Sequence, residues 1–394
     1  MKRIISALLA VLLIFSGVFC SKAQAEVIEF KLNYDVSAAM LVEFETGRVL
    51  YSYNETKHVP IASITKVMTL ILAFEAIEKG TLAYDKIITV SPEASAMGGS
   101  GVFLYTGEQV SVEDLFKAII VASANDACLA MAETIAGSQT QFVSMMNNRA
   151  KELGMADTNF VNCTGLPDTG YYSCARDVAI MSRELMKHED YFKWSSIWLD
   201  TMDSLQNKTV ITNTNKLVRF YKGCDGTKTG FTNDAMHCIS ASAKRNDVRF
   251  IAIVLGARSS DERFALAKEL LNYGFANYKS RIVVEKGQCF DGSTNLRVRL
   301  GKKDYINGEA AQNISELTEM SEKPEYTVTS VPDEYITAPV KKGDKIGSFI
   351  IYKNGEELSR VDMTASEDVE RISYKDYISA FFSRWVWCSE SSSE

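Results

Sequence analysis

The order of three short motifs along the chain is the strongest constraint on its fold. Ser63-Ile-Thr-Lys66 comes first, Ser123-Ala-Asn125 second and Lys228-Thr229-Gly230 third. Each motif is common by itself. Together, in this order, they describe a serine nucleophile whose base is a lysine, supported by groups from later segments. The sequence therefore predicts a serine acyl-transfer enzyme.

The first 25 residues have the pattern of a secretory signal. Two basic residues precede an apolar run from Ile4 to Phe19, and Ala23-Gln24-Ala25 forms a small-x-small cleavage site. The run of about 16 residues is shorter than the roughly 20 that span a bilayer, which favours a cleaved signal over a permanent anchor. We expect residues 1–25 to direct export to the outer face of the cytoplasmic membrane, or the cell wall space.

Composition excludes several classes of function. The formal net charge is −7, and the predicted signal contains three basic and no acidic residues, so the mature chain is more acidic still and nucleic acid is not expected as a partner. The three histidines lack metal-ligand spacing, so we expect no metal site and no cofactor. An odd number of cysteines without Cys-x-x-Cys pairing also argues against a complete disulfide framework. The seven beyond the signal are Cys128, Cys163, Cys174, Cys224, Cys238, Cys289 and Cys388.

Strand patterns at both ends of residues 26–277 enclose a helical middle. Strand-like apolar runs predict one hairpin from Met40–Phe44 and Val49–Tyr53, and another from Cys238–Ser242 and Val248–Leu255. The helical segments between them continue to about Met186. We therefore predict an α+β catalytic domain in which one sheet is covered by a helical lobe.

Helix signals place the motifs within this domain. Apolar spacing after Ser63 predicts a helix that begins at this serine and carries Lys66 one turn later on the same face. A capping pattern at Ser111 predicts a second helix that ends just before Ser123. A closing helix is expected from Ser260 to Phe275, next to the last strands.

Beyond Tyr278 the helical periodicity disappears and short alternating runs predict a small all-β domain at residues 278–366. The last segment, residues 367–394, contains apolar and aromatic residues at helical spacing between Val369 and Trp387, with charges among them. This pattern favours an amphipathic helix lying on a membrane surface. The alternative is a helix that packs on the β domain.

The residues of the first two motifs can take different roles in the reaction. Lys66 can remove the proton of Ser63 only when neutral, which burial and a nearby charge such as Lys228 would favour. Ser123 can relay protons, and Asn125 can hold a substrate carbonyl or the Lys66 side chain.

The third motif is expected to lie on an edge strand. Gly230 would let a substrate backbone approach closely, and the Thr229 hydroxyl can bind a carboxylate. Backbone N–H groups of Ser63 and Phe231 are candidate donors to the oxyanion of a tetrahedral intermediate.

Five blocks carry a family resemblance: Pro60-Ile-Ala-Ser63-Ile-Thr-Lys66, Ser123-Ala-Asn125-Asp126-Ala127, Phe160-Val-Asn162 with Gly165-Leu166, Ala175-Arg176-Asp177, and Asp225-Gly226-Thr227-Lys228-Thr229-Gly230. In these blocks the chain resembles the low-molecular-weight penicillin-binding proteins, specifically the D-alanyl-D-alanine carboxypeptidases. The resemblance covers nearly the whole chain, including the β domain and the tail.

The resemblance implies a fold like that of serine β-lactamases and penicillin-binding proteins. It also implies removal of the terminal D-alanine from a peptidoglycan pentapeptide through an acyl-enzyme at Ser63, and inhibition by β-lactams. In such enzymes an arginine after the last strand holds the terminal carboxylate of the substrate. Arg263 resembles it, although Arg258 lies nearby.

Two alternative functions remain at this point. A class A β-lactamase needs a glutamate in a Glu-x-x-x-Asn motif, but Ala156 stands where the asparagine after Glu152 would be, and such an enzyme has no second domain. A non-catalytic penicillin-binding sensor or scaffold has no need for the complete proton-transfer set.

Overall fold

The computed structural model of the protein describes residues 29–376 and residue 378. These residues divide into two compact units, with the boundary between Asn277 and Tyr278. The boundary falls where helical periodicity ends in the sequence.

The first unit combines helices with strands. Its helices are α1 (Lys66–Glu78), α2 (Pro92–Ser95), α3 (Val112–Lys117), α4 (Asn125–Ala136), α5 (Gln139–Glu152), α6 (Ala175–Leu185), α7 (Phe192–Ser195), α8 (Leu217–Phe220) and α9 (Ser260–Asn277). Its strands are β1 (Ala38–Glu43), β2 (Val49–Tyr53), β3 (Ile87–Thr89), β4 (Gln109–Ser111), β5 (Leu199–Met202), β6 (Thr209–Thr212), β7 (Cys224–Thr232), β8 (Met236–Arg245) and β9 (Val248–Ala257).

A five-stranded antiparallel sheet in the order β2-β1-β9-β8-β7 joins the two ends of this unit. Ile251 and Ile253 of β9 belong to the core that the sheet shares with the helical lobe. Phe250, on the opposite face, packs edge-on against Phe275 of α9 with ring centroids 4.9 Å apart. Both faces are therefore covered, and β7 forms one edge of the sheet, as predicted for the third motif.

Helix α1 lies inside the helical lobe, and ten of its 13 residues are buried. The apolar spacing predicted one buried face, but neighbouring elements cover nearly every side. The Ser111 cap is present, because its Oγ accepts a hydrogen bond from Asp114 N at 3.1 Å. The helix it starts, α3, ends at Lys117 and continues as a π turn over Ala118–Ala122, directly before Ser123.

The second unit is built from strands as far as Ala365: β10 (Tyr278–Val284), β11 (Leu296–Arg299), β12 (Tyr305–Ile306), β13 (Gly308–Ala310), β14 (Ile314–Glu319), β15 (Tyr326–Pro332), β16 (Ile336–Thr337), β17 (Lys345–Lys353) and β18 (Glu356–Ala365). Four of them form an antiparallel sheet in the order β13-β18-β17-β15. Phe349 and Met363 are fully buried in the core of this unit.

This unit extends past Ser366, where the sequence prediction ended the β domain. Val369 is 2% exposed and pairs with Val340, and Ile372 N donates to Leu300 O at 2.8 Å. The predicted helix therefore does not begin at Val369, because that side chain is needed to fill the β core. Helical residues start at Tyr374, and most of the predicted amphipathic segment lies outside the described residues.

Over the part of the chain that the structure describes, no helix combines the length and apolarity that crossing a membrane requires.

Candidate active site

Ser63 lies in a 3-10 turn, Ala62–Thr65, immediately before α1. The sequence predicted that the helix begins at Ser63, but α1 begins at Lys66. A single 3-10 turn has nearly the same apolar spacing as the first turn of an α-helix, so periodicity alone does not separate them. Ala62 adopts a left-handed conformation with φ of 48°, which turns the chain into the nucleophile position.

Lys66 contacts the serine directly. Its Nζ lies 2.9 Å from Ser63 Oγ and donates to Thr164 O at 2.8 Å. The side chain is fully buried, and this burial lowers the pKa of Lys66 below its usual value. The two side chains are therefore within hydrogen-bond distance, and burial favours the neutral lysine that can accept the serine proton.

A turn after α5 supports Lys66 from the other side. Asn162 Oδ1 accepts hydrogen bonds from Gly165 N at 2.7 Å and Thr164 N at 3.1 Å, which directs the Thr164 carbonyl to the lysine. Gly165 has φ of 81°, and a Cβ there would lie 1.9 Å from Ala62 O. In the sequence, Asn162 and Gly165 are distinguished only as parts of a family block. Their role depends on a contact between segments about 100 residues apart.

The second motif lies between the π turn and α4. Ser123 adopts φ of 61° and is 3% exposed. Asn125 opens α4, and its Nδ2 donates to Gly98 O at 2.7 Å. Its Oδ1 is buried and has no protein partner among the described residues, so it can accept a hydrogen bond from a ligand.

A glycine-containing loop covers this motif. Asp126 accepts hydrogen bonds from Val102 N and Leu104 N, both at 3.1 Å. A Cβ at Gly99 would lie 2.8 Å from Asn125 Nδ2, so the loop backbone packs directly on the asparagine. The loop therefore helps to hold Asn125, a contact for which the sequence carries no local signal.

The third motif runs along edge strand β7, next to the Ser63 turn. A Cβ at Gly230 would lie 2.6 Å from Ile61 O and 3.1 Å from Ser63 N, so only glycine permits this approach. Lys228 is 2% exposed and donates to Thr229 O at 3.1 Å. Burial and the charges of Lys66 and Arg263 hold the pKa of Lys228 well below its usual value.

Arg263 reaches the same strand from α9. Its Nη1 donates to Gly230 O at 2.9 Å and Cys238 O at 3.3 Å. Arg258, the alternative noted in the sequence, is 69% exposed and forms an ion pair with Asp35. The Arg263 guanidinium is therefore the one held against the third motif. Phe231 follows Gly230 and is 52% exposed.

Thiols also lie close to the lysine. Cys128 Sγ donates to the carbonyl of Cys163 at 3.1 Å, and both residues are fully buried. The six cysteines of the described region all carry free thiols. The sequence motifs assign these thiols no role in the reaction.

Among the described residues, one group of three side chains places potential metal-ligand atoms within 4.8 Å of one another: Asp157, Cys174 and Asp177. Arg176 contacts both carboxylates, with Nη2 2.5 Å from Asp157 Oδ2 and Nε 3.6 Å from Asp177 Oδ1. The guanidinium already supplies positive charge there, so these residues are a poor fit for a metal ion.

Comparison with known proteins gives matches along both units. Residues 24–259 match the family model for D-alanyl-D-alanine carboxypeptidase, and residues 278–371 match that for the penicillin-binding protein 5 C-terminal domain. D-alanyl-D-alanine carboxypeptidase DacF from Bacillus subtilis (strain 168) is 36% identical over 98% of this chain and 99% of its own length.

Solved structures show the same similarity. A peptidoglycan synthesis regulatory factor (PBP3) from Streptococcus pneumoniae aligns with a TM-score of 0.72 and 28% identity, over 86% of this chain and 100% of that chain. Penicillin-binding protein D2 from Listeria monocytogenes, in its ampicillin-bound form, aligns with a TM-score of 0.57 and 32% identity, over 63% of this chain and 100% of that chain.

Proposed function

The chain belongs to the D-alanyl-D-alanine carboxypeptidase family, and we propose that it removes the terminal D-alanine of a peptidoglycan stem peptide with Ser63 as its nucleophile. One observation carries the assignment of the nucleophile. Lys66 is fully buried, and its Nζ lies 2.9 Å from Ser63 Oγ. Burial favours the neutral amine, whose lone pair can accept the Ser63 proton.

The reaction begins when Ser63 Oγ attacks the carbonyl carbon between the two D-alanines. Lys66 takes the serine proton as the carbon–oxygen bond forms, and the carbonyl becomes a tetrahedral oxyanion. The N–H groups of Ser63 and Phe231 are the proposed donors to that oxygen. Collapse of the intermediate breaks the peptide bond, and Ser123 relays the proton from Lys66 to the departing amine of D-alanine, which leaves Lys66 neutral again.

The resulting ester at Ser63 is then hydrolysed. A water gives a proton to Lys66 and attacks the ester carbonyl. As the carbon–oxygen bond to Ser63 breaks, Lys66 returns that proton to Ser63 Oγ, and the stem peptide leaves with a new carboxyl group. β-Lactams acylate the same serine, because their strained amide occupies the place of the scissile peptide bond.

The third motif supports substrate binding in this proposal. β7 is an edge strand of the sheet, so an extended peptide can add to it through backbone hydrogen bonds. Thr229 and the guanidinium of Arg263 lie next to Gly230, where they can bind the terminal carboxylate. Asn125 Oδ1, which has no hydrogen-bond partner in the described part of the chain, can accept from an amide N–H of the peptide.

The test uses a fluorescent penicillin and a peptide that ends in D-Ala-D-Ala. We expect the wild-type protein to bind the label covalently and to release D-alanine, and Ser63→Ala to do neither. Ser138→Ala, which removes the hydroxyl that caps α5, serves as the control and should retain both activities. Covalent labelling of Ser63→Ala would refute the assignment of the nucleophile.

The same test separates the β-lactamase alternative. Rapid loss of the label with little release of D-alanine would indicate a β-lactamase. Glu152, the residue considered for its deacylating water, lies at the end of α5, where its side chain is 64% exposed and pairs with Arg149 at 3.2 Å. Its exposure argues against that role.

The proposed cellular setting depends on the two ends of the chain. Residues 1–25 have the pattern of a secretory signal, and the segment up to Trp387 has the pattern of an amphipathic helix. An enzyme that acts on peptidoglycan has to meet its substrate outside the cytoplasm. The proposed location is therefore the outer face of the cytoplasmic membrane, with the tail on the lipid surface.

A further inference from the structure

The hydroxyl of Tyr171 is bonded to three groups of the segment that carries Ser63. Oη donates to Ala62 O at 3.1 Å, accepts from Ile61 N at 3.2 Å and lies 2.6 Å from Thr65 Oγ1. A phenol offers one donor and two acceptor positions, so all three are used when Thr65 donates to Oη. In the arrangement that satisfies all three partners, Oη donates to Ala62 O and accepts from both Ile61 N and Thr65 Oγ1.

Burial raises the pKa of Tyr171, which keeps the phenol protonated and able to donate. The donated hydrogen bond goes to the carbonyl of Ala62, whose carbon is joined to the nitrogen of Ser63. Because the peptide unit is planar, the direction of the Ala62 carbonyl also determines the direction of the Ser63 N–H. That N–H is one of the two proposed oxyanion donors.

This peptide unit needs external support. Ala62 has φ of 48°, a conformation that is costly for a residue with a Cβ. Gly165 lies against one side of the Ala62 carbonyl, and Gly230 lies against Ser63 N. Neither glycine supplies a hydrogen bond to the carbonyl, whereas Tyr171 does.

We propose that Tyr171 is a positioning residue that orients the peptide unit between Ala62 and Ser63, so that the Ser63 N–H points at the oxyanion. The inference rests on the proposed function of Ser63. Tyr171 acts through this peptide unit and does not touch the substrate. By donating to the carbonyl it also polarises the peptide and strengthens the N–H as a donor.

Loss of this support would affect the transition state more than the ground state, because the negative charge on the substrate oxygen appears only after attack. Tyr171→Phe should therefore lower kcat and the acylation rate while leaving KM and the initial, non-covalent affinity for penicillin nearly unchanged. Removal of one oxyanion donor costs about 100- to 1,000-fold in rate, so a misdirected donor is expected to cost about 10- to 100-fold.

The experiment compares Tyr171→Phe with Tyr172→Phe, which removes a hydroxyl from the neighbouring tyrosine that stacks on His58. Acylation by penicillin, D-alanine release and inhibition by a peptide boronic acid are measured. The boronate forms a tetrahedral adduct with Ser63, so its inhibition constant should rise about 10-fold or more in Tyr171→Phe and stay constant in Tyr172→Phe. Equal effects in the two variants, or a rise in KM at constant kcat, would overturn the proposal.

A second substitution keeps the test informative if Tyr171→Phe does not fold. Thr65→Val removes the hydroxyl bonded to Oη, and Thr65→Ser keeps it. The proposal is supported if Thr65→Val loses acylation rate and boronate affinity while Thr65→Ser keeps both. It is overturned if Thr65→Val loses neither. Failure of wild-type D-alanine release would instead refute the proposed function.

Discussion

Alanine at Gly165 should disable the Ser63 turn, whereas alanine at Gly80 should not. Both glycines have left-handed backbones, with φ of 81° and 70°. A Cβ at Gly165 would lie 1.9 Å from Ala62 O and 2.7 Å from Thr65 Oγ1, whereas a Cβ at Gly80 would have nothing within 4 Å. The two substitutions therefore share the backbone strain and differ in the collision.

The expected magnitudes follow from this difference. The left-handed conformation costs an alanine about 1–2 kcal/mol at either site. To reach an ordinary contact of 3.4 Å from 1.9 Å, the backbones at Gly165 and Ala62 must separate by about 1.5 Å. Overpacking of this kind adds about 1–3 kcal/mol of destabilisation. A displacement of about 1 Å at a reacting group can cost about 100-fold in rate, so we expect acylation to fall at least that far.

Urea unfolding of the two variants measures the free energy of unfolding, and the second-order rate of labelling by a fluorescent penicillin measures acylation. Gly80→Ala should lose stability but acylate as the wild type does. Gly165→Ala should lose more stability and about 100-fold in labelling rate. If folded Gly165→Ala acylates within about 3-fold of Gly80→Ala, the contact with Ala62 does not position the nucleophile.

The remaining predictions concern the base, the carboxylate site and the tail. Acylation should fall as the pH drops through the pKa of Lys66, which burial places below 10.5, and Lys66→Arg should be inactive because a guanidinium does not release its proton; an active arginine variant would place the base elsewhere. Arg263→Ala should lower kcat/KM for the peptide by about 10- to 100-fold, whereas Arg258→Ala should not. Amidation of the substrate's terminal carboxylate should lower kcat/KM of Arg263→Ala little further, because the group that binds the carboxylate is already gone. The reverse pattern would reassign the carboxylate site to Arg258. Truncation after Asp376 keeps the described β core and should give a protein that no longer floats with liposomes yet releases D-alanine; continued flotation would show that the tail is not the anchor.

Much of the site could be predicted because its groups are chemically distinctive. Ser63 and Lys66 are three residues apart, so any helical or 3-10 turn brings them near each other, as the 2.9 Å distance shows. The two strands of the second hairpin are largely apolar runs joined by a polar turn, so the hairpin next to the strand that carries Gly230 was also predictable. The motif order limited the fold to one in which these segments meet.

Contacts between distant segments were decided by the tertiary structure alone. Neither the Thr164 carbonyl on Lys66 nor the Tyr171 hydroxyl on Ala62 follows a local pattern, because each joins segments about 100 residues apart. The burial that lowers the pKa of Lys66 has the same origin, since several elements enclose α1 on nearly every side. Val369 likewise fits a helical pattern locally, yet it pairs with Val340 because the β core needs its side chain. Periodicity records local spacing, whereas burial and hydrogen-bond partners depend on which segments the completed fold brings together.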